Sequence, residues 1–286
     1  MLANIVELPK PHLDARLFGA RRISALTDES LFERTGLRIA FTARGGGVSE
    51  APYDSLNLGS HVDDDLSAVE VNRALLLEAL GAADAPLLVP SQVHGDEAVE
   101  VTSADAAAVE EARRHAAAGA DILVVGAPEV VALLCFADCV PVIVAAPSGR
   151  FAVAHAGWRG AVAGVAGKAA RLVAAREAAE TGVDERTAAS TLNAYLGPHI
   201  RACCFETGAD VREQFVQRFG AEVAPDAHHV DLARAITRDL EQAGVQPSRI
   251  ADAGVCTVCH SDEYFSYRAS GGRCGRHGAF AVLQKG

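Results

Sequence analysis

The sequence predicts an α+β fold in a single domain, and three features carry that expectation. Between residues 121 and 155 lie four near-continuous apolar runs, 121–125, 130–136, 140–145 and 151–155. Gly126-Ala127-Pro128, Asp138-Cys139 and Pro147-Ser148-Gly149 separate them, the pattern of strands covered on both faces. Beyond Gly160 an alanine-rich stretch reaches Glu180 and has high helix propensity despite Gly164 and Gly167. Strand-like and helix-like segments also fail to alternate regularly, as a βαβ array would require.

The other elements follow from local chemistry. Residues 37–41 read as a short strand closed by the turn Ala43-Arg44-Gly45-Gly46-Gly47. A helix is expected near Ser67, because Ser67 and Glu70 stand at capping-box spacing and Val69, Leu76 and Leu80 can share a face. Two shorter helices are expected at 209–219 and 232–243, the second opened by Asp231 as N-cap. Residues 1–36 mix charge with short apolar stretches and carry no motif, so they are set apart as an N-terminal segment, loosely held in part. No Ser/Gly/Pro linker and no internal repeat divides the remainder, which makes 37–286 one domain.

Composition narrows the function. Half of the 286 residues are hydrophobic and 22% are charged, enough apolar surface for a core. A net charge of -11 without any Lys/Arg-rich run argues against a nucleic-acid partner, and an anionic substrate would need locally placed arginines. Glu7, Lys10 and Asp14 fall where a signal peptide needs an unbroken apolar stretch, and no segment runs 18 apolar residues. We therefore expect a cytoplasmic monomer with no membrane partner. Its seven cysteines then read as reduced thiols or metal ligands rather than a disulfide framework.

Three metal-competent side chains sit at the edges of the apolar runs: His94, Cys139 and His155. Each adjoins a small or turn residue that would leave it facing a cleft. Two imidazoles and a thiolate suit zinc, and three protein ligands leave a fourth tetrahedral position open for chemistry. Isolated cysteines and histidines are also ordinary core residues. The three are not local in sequence, so spacing leaves both readings open.

Ordered motifs add a resemblance. Thr42-Ala43-Arg44-Gly45-Gly46-Gly47-Val48-Ser49, Ser55-Leu56-Asn57-Leu58-Gly59, Asn72-Arg73, Gln92-Val93-His94-Gly95, Ala137-Asp138-Cys139 and His155-Ala156-Gly157-Trp158-Arg159-Gly160 follow one another. With Gly197-Pro198-His199-Ile200 and Tyr264-Phe265-Ser266-Tyr267-Arg268, they resemble the laccase-domain family, also called multicopper polyphenol oxidase-like proteins, members of which have been reassigned as purine nucleoside phosphorylases. The resemblance covers roughly residues 37–283 and implies mixed sheets packed together and flanked by helices in αββα-type layers. It implies His94, Cys139 and His155 as metal ligands and catalytic residues, and zinc-dependent phosphorolysis of adenosine, inosine, guanosine and methylthioadenosine, with adenosine deaminase as a companion activity.

Phosphate as nucleophile calls for forked cationic donors. Arg44 in its glycine-rich turn is the first choice and Arg268 the second. Asn57, Gln92 and Asp138 complete the expected substrate-binding set, with Asp138 or Gln92 hydrogen-bonding the departing base. The C-terminal match is looser, because Ala269-Ser270 and Arg273-Cys274 interrupt the usual arginine-rich turn.

Three competing readings remain. A copper-dependent polyphenol oxidase fits the older family name, and copper accepts the same ligands, but none of the ten histidines forms a His-x-His pair. Cys139 and His155 could instead be the pair of a cysteine hydrolase acting on a cell-wall precursor or peptide, which leaves His94 without a task. Cys256-Thr257-Val258-Cys259-His260 has the form of a c-type haem attachment site. The same two cysteines would suit a structural zinc if a partner pair at comparable spacing existed, and the sequence has none.

Overall fold

A computed structural model describes residues 7–285 and arranges them around two six-stranded mixed sheets. The first sheet runs in the order β1 (Asp14–Phe18), β2 (Ile23–Thr27), β3 (Leu37–Thr42), β12 (His277–Leu283), β7 (Val131–Phe136) and β4 (Leu87–Leu88). It is antiparallel except at the β4–β7 edge. The second runs β11 (Ile250–Asp252), β10 (Asn193–Leu196), β8 (Val140–Ala145), β9 (Phe151–Ala156), β6 (Ile122–Val125) and β5 (Ala98–Val101). Its two outer pairs are parallel and the rest antiparallel.

Side-chain alternation along the strands sets the layers. In β8 and β9, Val140, Val142, Val144, Ala152 and Ala154 turn to one side, where they meet Val165, Ala166, Ala169, Ala170 and Val173 of a helix. Ile143, Ala145, Phe151 and Val153 turn the other way, against Ile39, Phe41, Leu134 and Ala281 of the first sheet. The far face of the first sheet, including Ala40, Leu133 and Phe280, is covered by Leu76 and Leu80 and by the loop residues Leu56 and Leu58. The result is the αββα layering that the resemblance implied, with the strand runs expected at 121–125, 130–136, 140–145 and 151–155 recovered as β6 to β9.

Among the described residues, eight α-helices complete the layers: α1 (Glu29–Thr35), α2 (Leu66–Ala79), α3 (Ala106–Ala118), α4 (Trp158–Ala163), α5 (Val165–Thr181), α6 (Glu185–Thr191), α7 (Ala209–Phe219) and α8 (Leu232–Gln242). Of the N-terminal segment set apart in sequence, residues 1–6 lie outside the described residues, and the stretch from Asp14 supplies β1, β2 and α1, with Ile23 and Leu31 fully buried. Among the described residues, no helix is long and apolar enough to cross a membrane.

Three local expectations meet different outcomes. Asp231 caps α8 as expected, accepting the Arg234 N–H. The cap of α2 is Asp65, whose carboxylate accepts the Ser67 N–H at 2.9 Å, so the helix begins ahead of the expected Ser67 box. The alanine-rich stretch is two helices, because Gly164 takes a left-handed φ of 85° and ends α4 where α5 starts.

Gly167 stays inside α5 for a reason of space. Its N–H donates to the buried Asp239 carboxylate at 2.6 Å, and a methyl group there would stand 2.6 Å from Asp239 Oδ1 and 2.9 Å from the Asp239 carbonyl oxygen. The missing side chain lets α5 lie directly on α8. Gly167→Ala is expected to destabilise the fold by about 1–3 kcal/mol through overpacking, read as a lower midpoint of urea unfolding. An unchanged midpoint would mean that the two helices separate there without penalty.

Candidate metal centre

The site is built around a carboxylate that the sequence reading used only as the start of a strand. Asp121 stands at the head of β6 and is fully buried. Its oxygens accept the backbone N–H groups of Val93 at 3.2 Å, His94 at 3.1 Å and Gly95 at 2.7 Å. His94 has a φ of 60°, and this left-handed turn lets successive N–H groups converge on one anion. A fourth partner is His155 Nδ1, 2.7 Å from Asp121 Oδ1. Burial pushes the Asp121 carboxyl up, but the His155 contact and the Gly95 N–H outweigh it and hold the group below its ordinary range. The carboxylate is therefore the acceptor, which places a proton on His155 Nδ1 and leaves Nε2 as the ligating atom.

Cys139 reaches the same point from the turn between β7 and β8. Asp138 has a φ of 90°, a conformation unusual for a residue with a side chain and one that concentrates at functional sites. Its carboxylate holds the turn in place, accepting the Thr257 hydroxyl at 2.6 Å and the Arg268 N–H at 2.7 Å. His155 arrives at the end of β9, where the strand alternation that buries Phe151 and Val153 between the sheets points it the same way.

The ligand atoms of His94, Cys139 and His155 lie within 4.8 Å of one another, and the two imidazoles meet edge to face with centroids 4.8 Å apart. Burial falls from His155 through Cys139 to His94, which is exposed, so the trio is open on one side. Burial pushes the Cys139 thiol up, but the facing His155 imidazolium and hydrogen bonds from both histidines bring it down to about 6. Burial lowers His155, yet the Cys139 thiolate and Asp121 raise it to about 9. A preformed thiolate and two imidazoles at this separation fit one ion with bonds of about 2.0–2.3 Å after small torsional adjustment. Copper would accept the same donors.

Gly157 makes room for the trio. Its φ of -67° suits any residue, but a methyl group there would stand 2.7 Å from His94 Cδ2 and 3.2 Å from Cys139 Sγ. Next to the trio lies a cavity of about 480 Å3, in the range of small-molecule sites. Phe205 and Tyr267 give it aromatic walls, while His61, Arg268 and Arg276 give it polar and cationic groups.

Three of the five expected substrate-binding residues line this cavity, and two do not. Arg268 lines it, with its guanidinium resting on the Cys204 and Glu206 carbonyls. Gln92 lines it with both ends of its amide engaged by the Cys135 backbone, at 2.9 and 2.8 Å. Asp138 lines it with both oxygens taken by Thr257 and Arg268. Arg44, the first choice for phosphate, lies outside the cavity. It donates to the Asp54 and Ser261 carbonyls at 2.8 Å and stacks on Phe265. Asn57 is fully buried, bound to Gly59 and Asp64 and accepting the Arg276 N–H. Both residues tie loops together, a role that motif matching does not distinguish from substrate contact.

Sequence reasoning missed Asp121 and His61 as residues of this region, and it left open which C-terminal arginine faces the cavity, where Arg276 stands beside Arg268. Asp121 did carry a signal: a lone acid at the mouth of a wholly apolar strand must be paired once buried. His61 lies outside every motif. Burial lowers its pKa, and Arg276, His155, Arg73 and His94 push the same way, so it faces the cavity as a neutral imidazole.

Comparison with known proteins places this architecture. A family model described as multi-copper polyphenol oxidoreductase laccase matches residues 38–284. A purine nucleoside phosphorylase of Geobacillus stearothermophilus, YlmD, is 34% identical over 253 residues, 86% of this chain and 89% of the relative. A purine nucleoside phosphorylase of Xylella fastidiosa strain 9a5c is 38% identical over 259 residues, covering 87% of this chain and 92% of the relative. Among solved structures, that of Geobacillus stearothermophilus YlmD superposes with a TM-score of 0.79 at 31% identity, over 94% of this chain and all of the other. Bacillus licheniformis YfiH gives 0.79 at 28% identity, over 91% and 96%.

Two predictions follow from the geometry of the trio. Asp121→Asn replaces an acceptor of four N–H groups by an amide that must turn two donors toward them. It is expected to weaken metal affinity by about 10–100-fold, measured by competition with a chromophoric chelator. The second concerns pH. Binding needs the Cys139 thiolate and a bare His155 Nε2, so between the values of about 6 and about 9 the ion displaces the His155 proton. Apparent affinity should rise about tenfold per pH unit across that window, and more steeply below it, where the Cys139 proton must also leave. A flat profile would show that the thiolate and imidazolium are not paired.

Proposed function

Because the chain belongs to the multi-copper polyphenol oxidoreductase laccase family, whose matching relatives are named purine nucleoside phosphorylases, we propose that it is a zinc-dependent purine nucleoside phosphorylase. Its substrates on this reading are adenosine, inosine, guanosine and methylthioadenosine, with deamination of adenosine as a side activity. The observation that carries the reading is the open trio of His94, Cys139 and His155 beside a cavity with aromatic walls and two arginines. A cytoplasmic enzyme working as a monomer on soluble nucleosides needs no other partner.

In the phosphorolysis, a phosphate oxygen bonds to ribose C1′ as the C1′–N9 bond breaks, and that bond's electron pair leaves with the purine, which takes up a proton. Arg268 and Arg276 hold the phosphate through guanidinium edges that their backbone carbonyl partners leave free. Phe205 and Tyr267 stack the base. His61, neutral and facing the cavity, hydrogen-bonds the ribose or the departing base, the role first considered for Gln92 and Asp138. His155, locked by Asp121, keeps its Nδ1 proton throughout. Zinc, when bound by the trio, supplies Lewis-acid polarisation, the chemistry that amino-group removal at purine C6 requires.

A second reading draws on one specific contact. Cys139, His155 and Asp121 are also ordered as a nucleophile, a base and an orienting acid. His94 among the ligand atoms favours the metal, and the three histidines of the cavity wall, His61, His94 and His155, include no His-x-His pair of the kind a multicopper cluster uses.

The test follows adenine, hypoxanthine and ribose 1-phosphate released from adenosine by zinc-loaded and metal-stripped protein, with and without phosphate. Adenine and ribose 1-phosphate should appear only with both zinc and phosphate, and His94→Ala should abolish them. Hypoxanthine reports the deaminase. Turnover of an ester or peptide by metal-free protein, silenced by iodoacetamide, would replace the phosphorylase with the cysteine hydrolase. Phenol oxidation that requires copper, with no ribose 1-phosphate formed by the zinc-loaded protein, would do so with the oxidase.

A further inference from the structure

We propose that Cys203, Cys204, Cys256 and Cys259 form a second metal site, a structural tetrathiolate that binds Zn2+. In sequence the pair Cys256 and Cys259 lacked a partner pair at comparable spacing. The fold supplies one from Cys203 and Cys204, which are adjacent in the chain and so invisible to a search for a second Cys-x-x-Cys.

The topology brings them together. β10 and β11 are parallel neighbours, and the chains leaving them stay side by side through a parallel bridge between His199 and Cys256. The Thr257 N–H donates to the His199 carbonyl at 3.1 Å and the His199 N–H to the Val255 carbonyl at 3.3 Å. Each chain then turns, and the two turns present their cysteines to one point.

All four sulfur atoms lie within 4.8 Å of one another. Cys259 Sγ is 3.8 Å from Cys203 Sγ and 3.6 Å from Cys204 Sγ. Four sulfurs around zinc at about 2.3 Å sit about 3.8 Å apart along the tetrahedron's edges, and tetrahedral S4 sites select zinc or iron. Cys256 Sγ accepts the Arg201 N–H at 3.5 Å, and the N–H groups of Val258 and Cys259 turn toward the same sulfur. This is how a Cys-x-x-Cys turn stabilises a thiolate. Cys203 and Cys259 are exposed, so the reading of cysteine as a small core residue does not account for them.

The site also answers a structural need. Residues 253–276, between β11 and β12, contain no helix or strand, an unusually long irregular connection for a packed domain. This segment carries Tyr267 and Arg268, and the segment after β10 carries Ile200 and Phe205, all four of which line the cavity. An ion held by two cysteines from each segment would clip the cavity wall together, where closure of a long loop yields the most stability. Each thiol gives up its proton as its sulfur ligates, and no electron transfer is involved. Any effect of the clip on turnover rests on the phosphorylase reading. The metal content does not.

The experiment is metal analysis of protein purified without chelator and without added metal. Wild type should contain two zinc ions per chain, Cys203→Ser/Cys259→Ser one, and His94→Ala one. The loss in the cysteine variant counts whatever the first site holds and whether or not nucleosides turn over. If that variant fails to fold, the wild type still decides. Its exposed cysteines should resist a thiol reagent until a strong chelator is added, and cobalt-exchanged His94→Ala protein should keep the intense sulfur-to-cobalt absorption of a tetrathiolate. Equal zinc in wild type and cysteine variant, immediate reaction of Cys203 and Cys259 in the zinc-loaded protein, a disulfide within the cluster, or iron at the four sulfurs would each overturn the assignment.

Discussion

A buried carboxylate holds the candidate metal site together. Asp121 is out of contact with water and could not remain charged there alone, since stripping a carboxylate of its hydration costs several kcal/mol unless donors replace it. Three successive N–H groups and an imidazole do so. In return, the carboxylate fixes both ring orientation and proton position in His155 and fastens the loop that carries His94. Two ligands from places far apart in the chain thereby acquire a common geometry from a single anion.

The surrounding backbone is arranged at some cost to satisfy that geometry. His94 and Asp138 both carry positive φ values without being glycines, conformations that are kept only where the surroundings over-determine them. For His94 the determinant is Asp121. For Asp138 it is its own carboxylate, which reaches Thr257 and the Arg268 N–H and so couples the Cys139 turn to the irregular segment forming the cavity wall. Gly157 adds a steric condition, since no side chain fits between His94 and Cys139.

Several of the most recognisable motifs are bound into the architecture. Gly47 has no room for a side chain, which would collide with the Ser55 carbonyl and Asn72. Asn72 is fully buried and stitches the loop from Val48 to Asn57, donating to Ser49, Ser55 and Asn57 and accepting from Val48. Arg44 and Asn57 belong to this same hydrogen-bonded unit. A polar residue in a shared motif therefore marks a demanding environment, and that environment is as often a buried loop as a binding site.

Sequence by itself determined the central strands and singled out three metal-competent side chains. The apolar runs that became β6 to β9 were legible because strand burial on both faces leaves a continuous hydrophobic trace. His94, Cys139 and His155 stood out because polar, metal-competent side chains at the edges of such runs have few ordinary reasons to be there. Tertiary structure alone decided what met what. Asp121 joined the site through the pairing of β6 with β9, Arg276 through the return of the chain into β12, and Cys203 and Cys204 found Cys256 and Cys259 through the parallel pairing of β10 with β11. Local preference and burial are written within a few residues of each position. Contacts between residues far apart in the chain depend on strand order and register, which come from the packing of the whole core.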